Sequence, residues 1–306
     1  MTDAVAPVTA PCGFLVVDKP AGITSHQVVA RARRALGTKK IGHAGTLDPL
    51  ATGLLLLGVG SGTRLLGHLA LVGKTYETTI RLGIATVTDD SEGEATEAPG
   101  AQVPAPEALA AAVARLTGDI IQVPSSVSAI KVEGRRAYAR VRGGEEVRLA
   151  GRPVTVSRFA VLAVRPAVSD GVPVVDVDAV IDCSSGTYIR ALARDLGADL
   201  GVGGHLTALR RTRVGPFTLD DATWDAAPDP AAGQRDAPRL LELGALARRC
   251  FACVEVDAAG AREVGYGRSL PLVVPSDPTA VLHDGRLLAL YRPAAPVSVP
   301  VAVLAR

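Results

Sequence analysis

The sequence predicts a mixed α+β protein, of the broad α/β class, made of one large domain followed by a small all-β one. Three observations predict it. The 306 residues are 48% hydrophobic and 21% charged, which supports a sizeable core and argues against disorder. β-Branched, strand-like runs alternate with stretches of helical spacing. A segment rich in acid, Pro and Ala at 220–238 (DDATWDAAPDPAAGQRDAP) separates the long first part from a last part of short strands and turns.

Taken in order, residues 1–11 read as a flexible tail. GFLVV (13–17) reads as a buried strand, ended by the turn DKPAG (18–22). Thr24 and Gln27 have capping-box spacing ahead of a helix whose stripe is Val28, Val29, Ala32 and Leu36, with Gly37 as its stop. Strands are expected at 54–59 and 75–82, an acidic turn at 86–97 and a helix at 106–116. The basic, Gly-bearing stretch at about 124–150 reads as a mobile arm. Strands follow at 154–164 and 172–181, then helices at 187–200 and near 239–249. The last ~55 residues carry short strands with turn signals at HDGR (283–286) and RPAAP (292–296). The expected division is thus 12–246, including a linker at about 220–246, and 247–306.

Net charge is only +2, so any polyanion partner must be read from local patches. From Lys19 to Leu47 there are six Lys or Arg and no acid, with Arg31 and Arg34 directed away from the helix stripe and Lys39 and Lys40 just after it. Arg210, Arg211 and Arg213 form a second cluster. Lys131, Arg135, Arg136, Arg140 and Arg142 form a third. Acids gather instead at 89–97 and 220–236. Such segregation suits a protein that lays one face on a nucleic acid, although 3% aromatics leave little for broad base stacking. No apolar run reaches the ~18 residues of a membrane span, and the first residues lack a signal-peptide pattern, so the expectation is a cytoplasmic protein. The lone CxxC of Cys250 and Cys253 and the scattered His26, His43, His68, His205 and His283 make no metal set.

The candidate site is the loop KKIGHAGTLDPLATG (39–53). Asp48-Pro49 has an ordinary reading as a helix N-cap followed by its first helical residue. Against it, Gly42, Gly45 and Gly53 would allow close backbone approach to a ligand, and the preceding cations would keep Asp48 ionised and attract an anion.

GFLVVDKPAGITSHQVV, KKIGHAGTLDPLATGLLLLGVG, KTYETTIRLG, TDDSEG, CSSGTYIRALARDLG and HLTALRRTRVGPF occur in this order through residues 13–224. These blocks closely resemble the bacterial TruB family of tRNA pseudouridine synthases. The resemblance implies a pseudouridine-synthase-like catalytic domain with a largely antiparallel central sheet flanked by helices, and the last residues resemble a PUA-type RNA-binding domain. It implies an isomerase that converts uridine 55 in the T-arm loop of tRNA to pseudouridine, with a tRNA-folding role beside catalysis also permitted. By the matching blocks, Asp48 is the nucleophile, Arg190 its partner and Tyr76 the active-site tyrosine. Tyr188 and Leu209 line the base pocket, His43 meets the remodelled RNA loop, and Lys19 supports the site. Val127 stands where family members often carry an aromatic. No cofactor, no guide RNA and a monomer are implied.

The chemistry is consistent with this. Isomerisation without redox change needs a nucleophile that bonds and later leaves, and a carboxylate of reference pKa ~3.9 is ionised at neutral pH. The residues leave open whether Asp48 attacks the uracil ring or the ribose C1′. Two rivals compete: a non-catalytic RNA-binding protein on the same scaffold, and a nucleoside hydrolase with a second carboxylate, for which Asp89 and Asp90 would be candidates if their acidic turn were not exposed.

Overall fold

The computed structural model describes residues 10–125, 131–132, 135–136, 149–226 and 238–304. Most of the expected tail, most of the arm with Val127, Arg140 and Arg142, and the middle of the linker lie outside them. The first half runs β1 (Gly13–Lys19), α1 (Ser25–Ala35), β2 (Ile41–Ala44), β3 (Thr52–Val59), α2 (Leu66–Ala70), β4 (Lys74–Leu82), β5 (Ala85–Thr86), β6 (Ala95–Glu97), α3 (Pro106–Arg115) and β7 (Gly118–Gln122). The small pair β8 (Lys131–Val132) and β9 (Arg135–Arg136) precedes β10 (Arg152–Ser169), β11 (Val172–Cys183), α4 (Ile189–Asp199), β12 (Gly204–Val214), β13 (Phe217–Thr218) and β14 (Trp224–Asp225). The chain ends with α5 (Leu243–Cys250), β15 (Ala252–Glu255), α6 (Ala258–Gly265), β16 (Thr279–His283), β17 (Arg286–Ala294) and β18 (Val297–Val303).

Two compact units result: 1–49, 53–70 and 215–306 form the first, and 50–52 with 71–214 the second. In the first, β1 pairs antiparallel with β3 and parallel with β14, and β2 adds to β3. Helix α1 starts where expected. Thr24 Oγ1 accepts from Gln27 N at 3.1 Å, and Thr24 N donates to Gln27 Oε1 at 2.7 Å, closing the capping box. Its stripe, Val28, Val29 and Ala32, packs on Leu15, Val17, Leu55 and Leu57.

The described flanks of the expected linker are not free. Thr223 N donates to Val16 O at 3.0 Å, and Phe14 and Leu241 exchange backbone hydrogen bonds at 2.8 and 2.7 Å. Edge groups of β1 would otherwise be buried without partners, which explains the docking. The last residues form the sheet β15–β16–β17–β18 around Tyr291, Val281 and Ala289. The strand pattern hides α6 inside it, capped by Asp257, whose carboxylate accepts from Gly260 N at 2.8 Å.

The second unit is the antiparallel order β12–β4–β11–β10–β7. Alternation along β4 is strict: Lys74, Tyr76, Thr78, Ile80 and Leu82 are buried, while Thr75, Glu77, Thr79 and Arg81 are not. The second face meets acids of β11 directly opposite. Arg81 forks onto Asp176 at 2.8 and 2.9 Å, and Thr79 Oγ1 donates to Asp178 at 2.8 Å. Helix α4 covers β12 so closely that a Cβ on Gly197 would collide with the backbone of Gly203 and Gly204. Gly197→Ala is therefore expected to destabilise the protein by about 3 kcal/mol or more, read from urea unfolding.

Candidate active site

Asp48 does not cap a helix. The chain from Thr46 to Asp48 is irregular, bends at Pro49 and Leu50, and enters β3 at Thr52. The ordinary N-cap reading is thus corrected: Gly53–Val59 pairs with β1 as a strand and leaves no room for a helix. The half-buried Asp48 is instead the end of a pinned loop. Ser25 Oγ donates to Leu47 O at 3.1 Å and accepts from Leu47 N at 2.9 Å. Lys19, fully buried, donates from Nζ to Pro20 O (2.9 Å), Ile23 O (2.7 Å) and Pro49 O (3.2 Å). Three donors meet three carbonyls, so the buried ammonium is satisfied while it ties the turn at Pro49 to the segment after β1. Gly22 N adds a bond to Pro49 O at 2.8 Å. His43 of β2 lies edge-on to His26, with ring centroids 5.4 Å apart.

The basic residues of the same unit divide by use. Arg34, Lys39 and Lys40 are exposed. Arg31, expected on RNA backbone, is half-buried and its guanidinium is engaged by Ala226 O, which limits its reach.

Tyr76, Tyr188, Arg190 and Leu209 share the second unit. Tyr188, half-buried, precedes α4 and is clamped by buried Gln122: Tyr188 N donates to Gln122 Oε1 at 2.8 Å, and Gln122 Nε2 to Tyr188 O at 3.0 Å. Within this unit Arg190 meets Asp90 at 3.5 Å and donates to Thr88 O at 2.8 Å. One turn on, Arg194 meets Asp89 at 3.3 Å and Val123 O at 2.8 Å. The expected exposure of the acidic turn is therefore corrected at Asp89 and Asp90, while Ser91, Glu92 and 94–97 are exposed. Asp89 and Asp90 are 8% and 3% exposed, drawn inward by two arginines on one helix face. Burial pushes the Asp89 carboxyl above its ordinary range, against the pull of Arg194 and Arg190. The sequence held a signal for this: Arg190 lies among the apolar residues of α4 and requires an acid from elsewhere, whereas Arg194 also meets Asp195 of its own helix at 2.8 Å.

Leu209 is buried opposite Thr78. It lines, with Thr207, Arg210 and Leu50, an open cleft of about 590 Å³, a volume suited to a small ligand. Arg210 is half-exposed and donates to Thr52 Oγ1 at 3.3 Å. Arg211, expected on RNA backbone, is corrected: it is 1% exposed, on the inner face of β12 opposite Tyr76, and cannot meet a phosphate from there. Lys74 and Cys183, paired across β4 and β11, are buried beside it and were not foreseen. Burial, then Arg211, lowers the Lys74 ammonium to about 8, with Cys183 opposing, and burial raises the Cys183 thiol to about 11.

Two outcomes are expected. Removing Asp90 leaves a buried guanidinium short of its carboxylate, so Asp90→Ala should cost about 3 kcal/mol in urea unfolding and reduce turnover. For pH, the unfolded chain keeps the Lys74 proton up to 10.5 but the folded chain only to about 8, so stability rises with pH above about 8. Cys183 and Cys250 act oppositely, since both move from 9.0 to about 11 on folding, so stability falls above about 9. Urea titrations across this range should show the rise and then the fall, and Lys74→Met should lack the rise.

Comparison with known proteins places this geometry. The model of the TruB family pseudouridylate synthase N-terminal domain matches residues 33–189, and that of the tRNA pseudouridylate synthase B C-terminal domain matches 190–231. A tRNA pseudouridine synthase B of Cutibacterium acnes is 56% identical over 286 residues, 93% of this chain and 94% of its own. One of Nocardia farcinica is 58% identical over 282 residues, 91% and 88% of the two chains. The fold is shared with a solved H/ACA RNP bound to a substrate RNA containing 2′-deoxyuridine, at TM-score 0.67 and 23% identity over 95% of this chain and 83% of the other. With identities above half along nearly the whole length, and a family model over most of the Asp48-to-Arg190 span, the chain belongs to the TruB family of pseudouridylate synthases.

Proposed function

We propose that the chain converts uridine 55 in the T-arm loop of tRNA to pseudouridine, with Asp48 as nucleophile acting on a flipped-out base. The observation that carries this reading is the pinned loop: a carboxylate presented by a turn that Lys19 and Ser25 hold from beneath, in a chain whose relatives are named tRNA pseudouridine synthase B. Rigid presentation is what covalent catalysis by a weak nucleophile requires. Arg190 then aims Asp48 by a charge-assisted pair, and within its own unit Asp90 and Thr88 hold the guanidinium.

Extruding a paired base costs a few kcal/mol, which phosphate contacts by Arg34, Lys39, Lys40 and Arg210 offset. His43 takes up space that the rearranged loop leaves. Tyr76 stacks on the base and accepts its C5 proton, and Tyr188 and Leu209 exclude water so that the detached base is retained. Residues 247–306 act as a PUA-like RNA-binding domain, the enzyme works in the cytoplasm as a monomer, and it needs neither cofactor nor guide RNA. The nucleoside-hydrolase reading is weakened because Asp89 and Asp90 are committed to Arg194 and Arg190.

Asp48→Asn is expected to bind a T-arm stem-loop with unchanged affinity and form no pseudouridine; turnover by this variant refutes the nucleophile. Free uracil in the wild-type reaction would favour the hydrolase instead. Replacing Lys39 and Lys40 with Ala should weaken RNA binding and flatten the slope of log affinity against log salt by about 0.7–0.9 for each phosphate no longer neutralised.

A further inference from the structure

Strand β7 inverts the usual order of burial. Ile121 is 72% exposed, whereas the polar Gln122 beside it is 2% exposed. A primary amide carries two donors and an acceptor, so burying one is costly unless its groups are bonded. Both ends of the Gln122 amide go to a single residue. Its Oε1 accepts from Tyr188 N at 2.8 Å, and its Nε2 donates to Tyr188 O at 3.0 Å.

Tyr188 is the N-cap of α4, extended at φ −100° and ψ 109°, and its side chain makes no capping hydrogen bond. Ser, Thr, Asp and Asn are preferred at that position because their short side chains reach the first amides of the helix, which a tyrosine cannot do. The start of α4 is held from outside instead, by the amide of β7. A second tie runs the opposite way: Arg194 of α4 donates to Val123 O, the carbonyl next to Gln122, at 2.8 Å. Helix and strand end thus grip each other's backbone in both directions. One planar amide bonded to both the N–H and the C=O of a residue fixes the peptide units on either side of it. That sets the Cα–Cβ direction of Tyr188, and with it where the side chain leaves the chain.

We infer that Gln122 is a positioning residue for the reaction and acts through Tyr188, fixing the backbone from which the tyrosine is presented to the base. The inference rests on the reading of Tyr188 as part of the base pocket. Gln122 itself makes and breaks no bond to the substrate. An aromatic at the N-cap forgoes the local cap that a smaller polar residue supplies, and the buried amide replaces it without giving up the tyrosine.

The test uses the full chain in single turnovers at saturating T-arm stem-loop RNA. Gln122→Met keeps the volume and removes both bonds. Its rate constant is expected to fall by about tenfold or more, the scale of a misplaced contact group, with RNA affinity unchanged and a cooperative urea transition retained. Tyr188→Ala should be slow as well, and the double variant no slower than Tyr188→Ala alone, because the amide acts through that side chain. With the five tyrosines replaced by fluorotyrosine, the fluorine resonance that Tyr188→Phe removes should shift or broaden in Gln122→Met while the others hold. A wild-type rate in Gln122→Met, losses that multiply in the double variant, or an unmoved Tyr188 resonance overturns the inference. If Gln122→Met does not fold, Gln122→Asn, whose amide stops one methylene short, goes through the same cycle and decides. A wild-type rate in Tyr188→Ala refutes the base-pocket reading and the inference with it. A slow Tyr188→Ala beside a Gln122→Met of wild-type rate refutes the inference alone.

Discussion

A lysine ammonium with no access to solvent, donating to three backbone carbonyls, is the constraint on which the candidate site depends. Lys19 joins the end of β1, the segment leading into α1 and the turn at Pro49. Ser25 repeats the tie from the first turn of α1 to Leu47. Loss of either polar group would leave buried carbonyls or a buried N–H without a partner, each costing about 1–3 kcal/mol. The glycines beside Asp48 make the loop adaptable in principle, Gly45 holding a φ of 86°. The hydrogen bonds remove that freedom where the carboxylate is presented.

The second unit solves a related problem with ion pairs. Helix α4 buries Arg190 and holds Arg194 half-buried, and a short acidic turn supplies Asp90 and Asp89. Asp89 sits at a φ of 59°, a conformation that Asp tolerates better than most residues. Two acids of a polar hairpin are thereby folded inward, while its strand Ala95–Glu97 stays exposed. Its own groups are satisfied locally, Thr86 Oγ1 donating to Asp90 O at 2.8 Å and Glu92 N to the Asp90 carboxylate at 3.1 Å.

What the sequence made legible was local or motif-borne. The capping box of α1 is a four-residue relation, and the helical spacing of α3 and α4 and the strand alternation of β4 follow from each segment alone. The Asp48 loop was readable because its motif is specific, although spacing alone favoured an N-cap. The misses share one physical cause: partners distant in sequence. Asp90 was read as solvated because its arginine lies a hundred residues on. Arg211 was read as a phosphate contact because neighbouring arginines suggested a solvated patch, whereas register on β4 turns it inward opposite Tyr76. Charge in a sequence says how many ions must be solvated or paired, not which of them the fold chooses to bury.

The central claim, that the carboxylate of Asp48 bonds to the substrate during turnover, is tested most directly by quenching a single turnover under denaturing conditions and mapping the RNA-linked peptide by mass spectrometry. The expected result is a nucleotide attached to the peptide that contains Asp48, appearing and then decaying as pseudouridine accumulates. A nucleotide attached to any other residue, or turnover with no protein-linked RNA at any time, would contradict it.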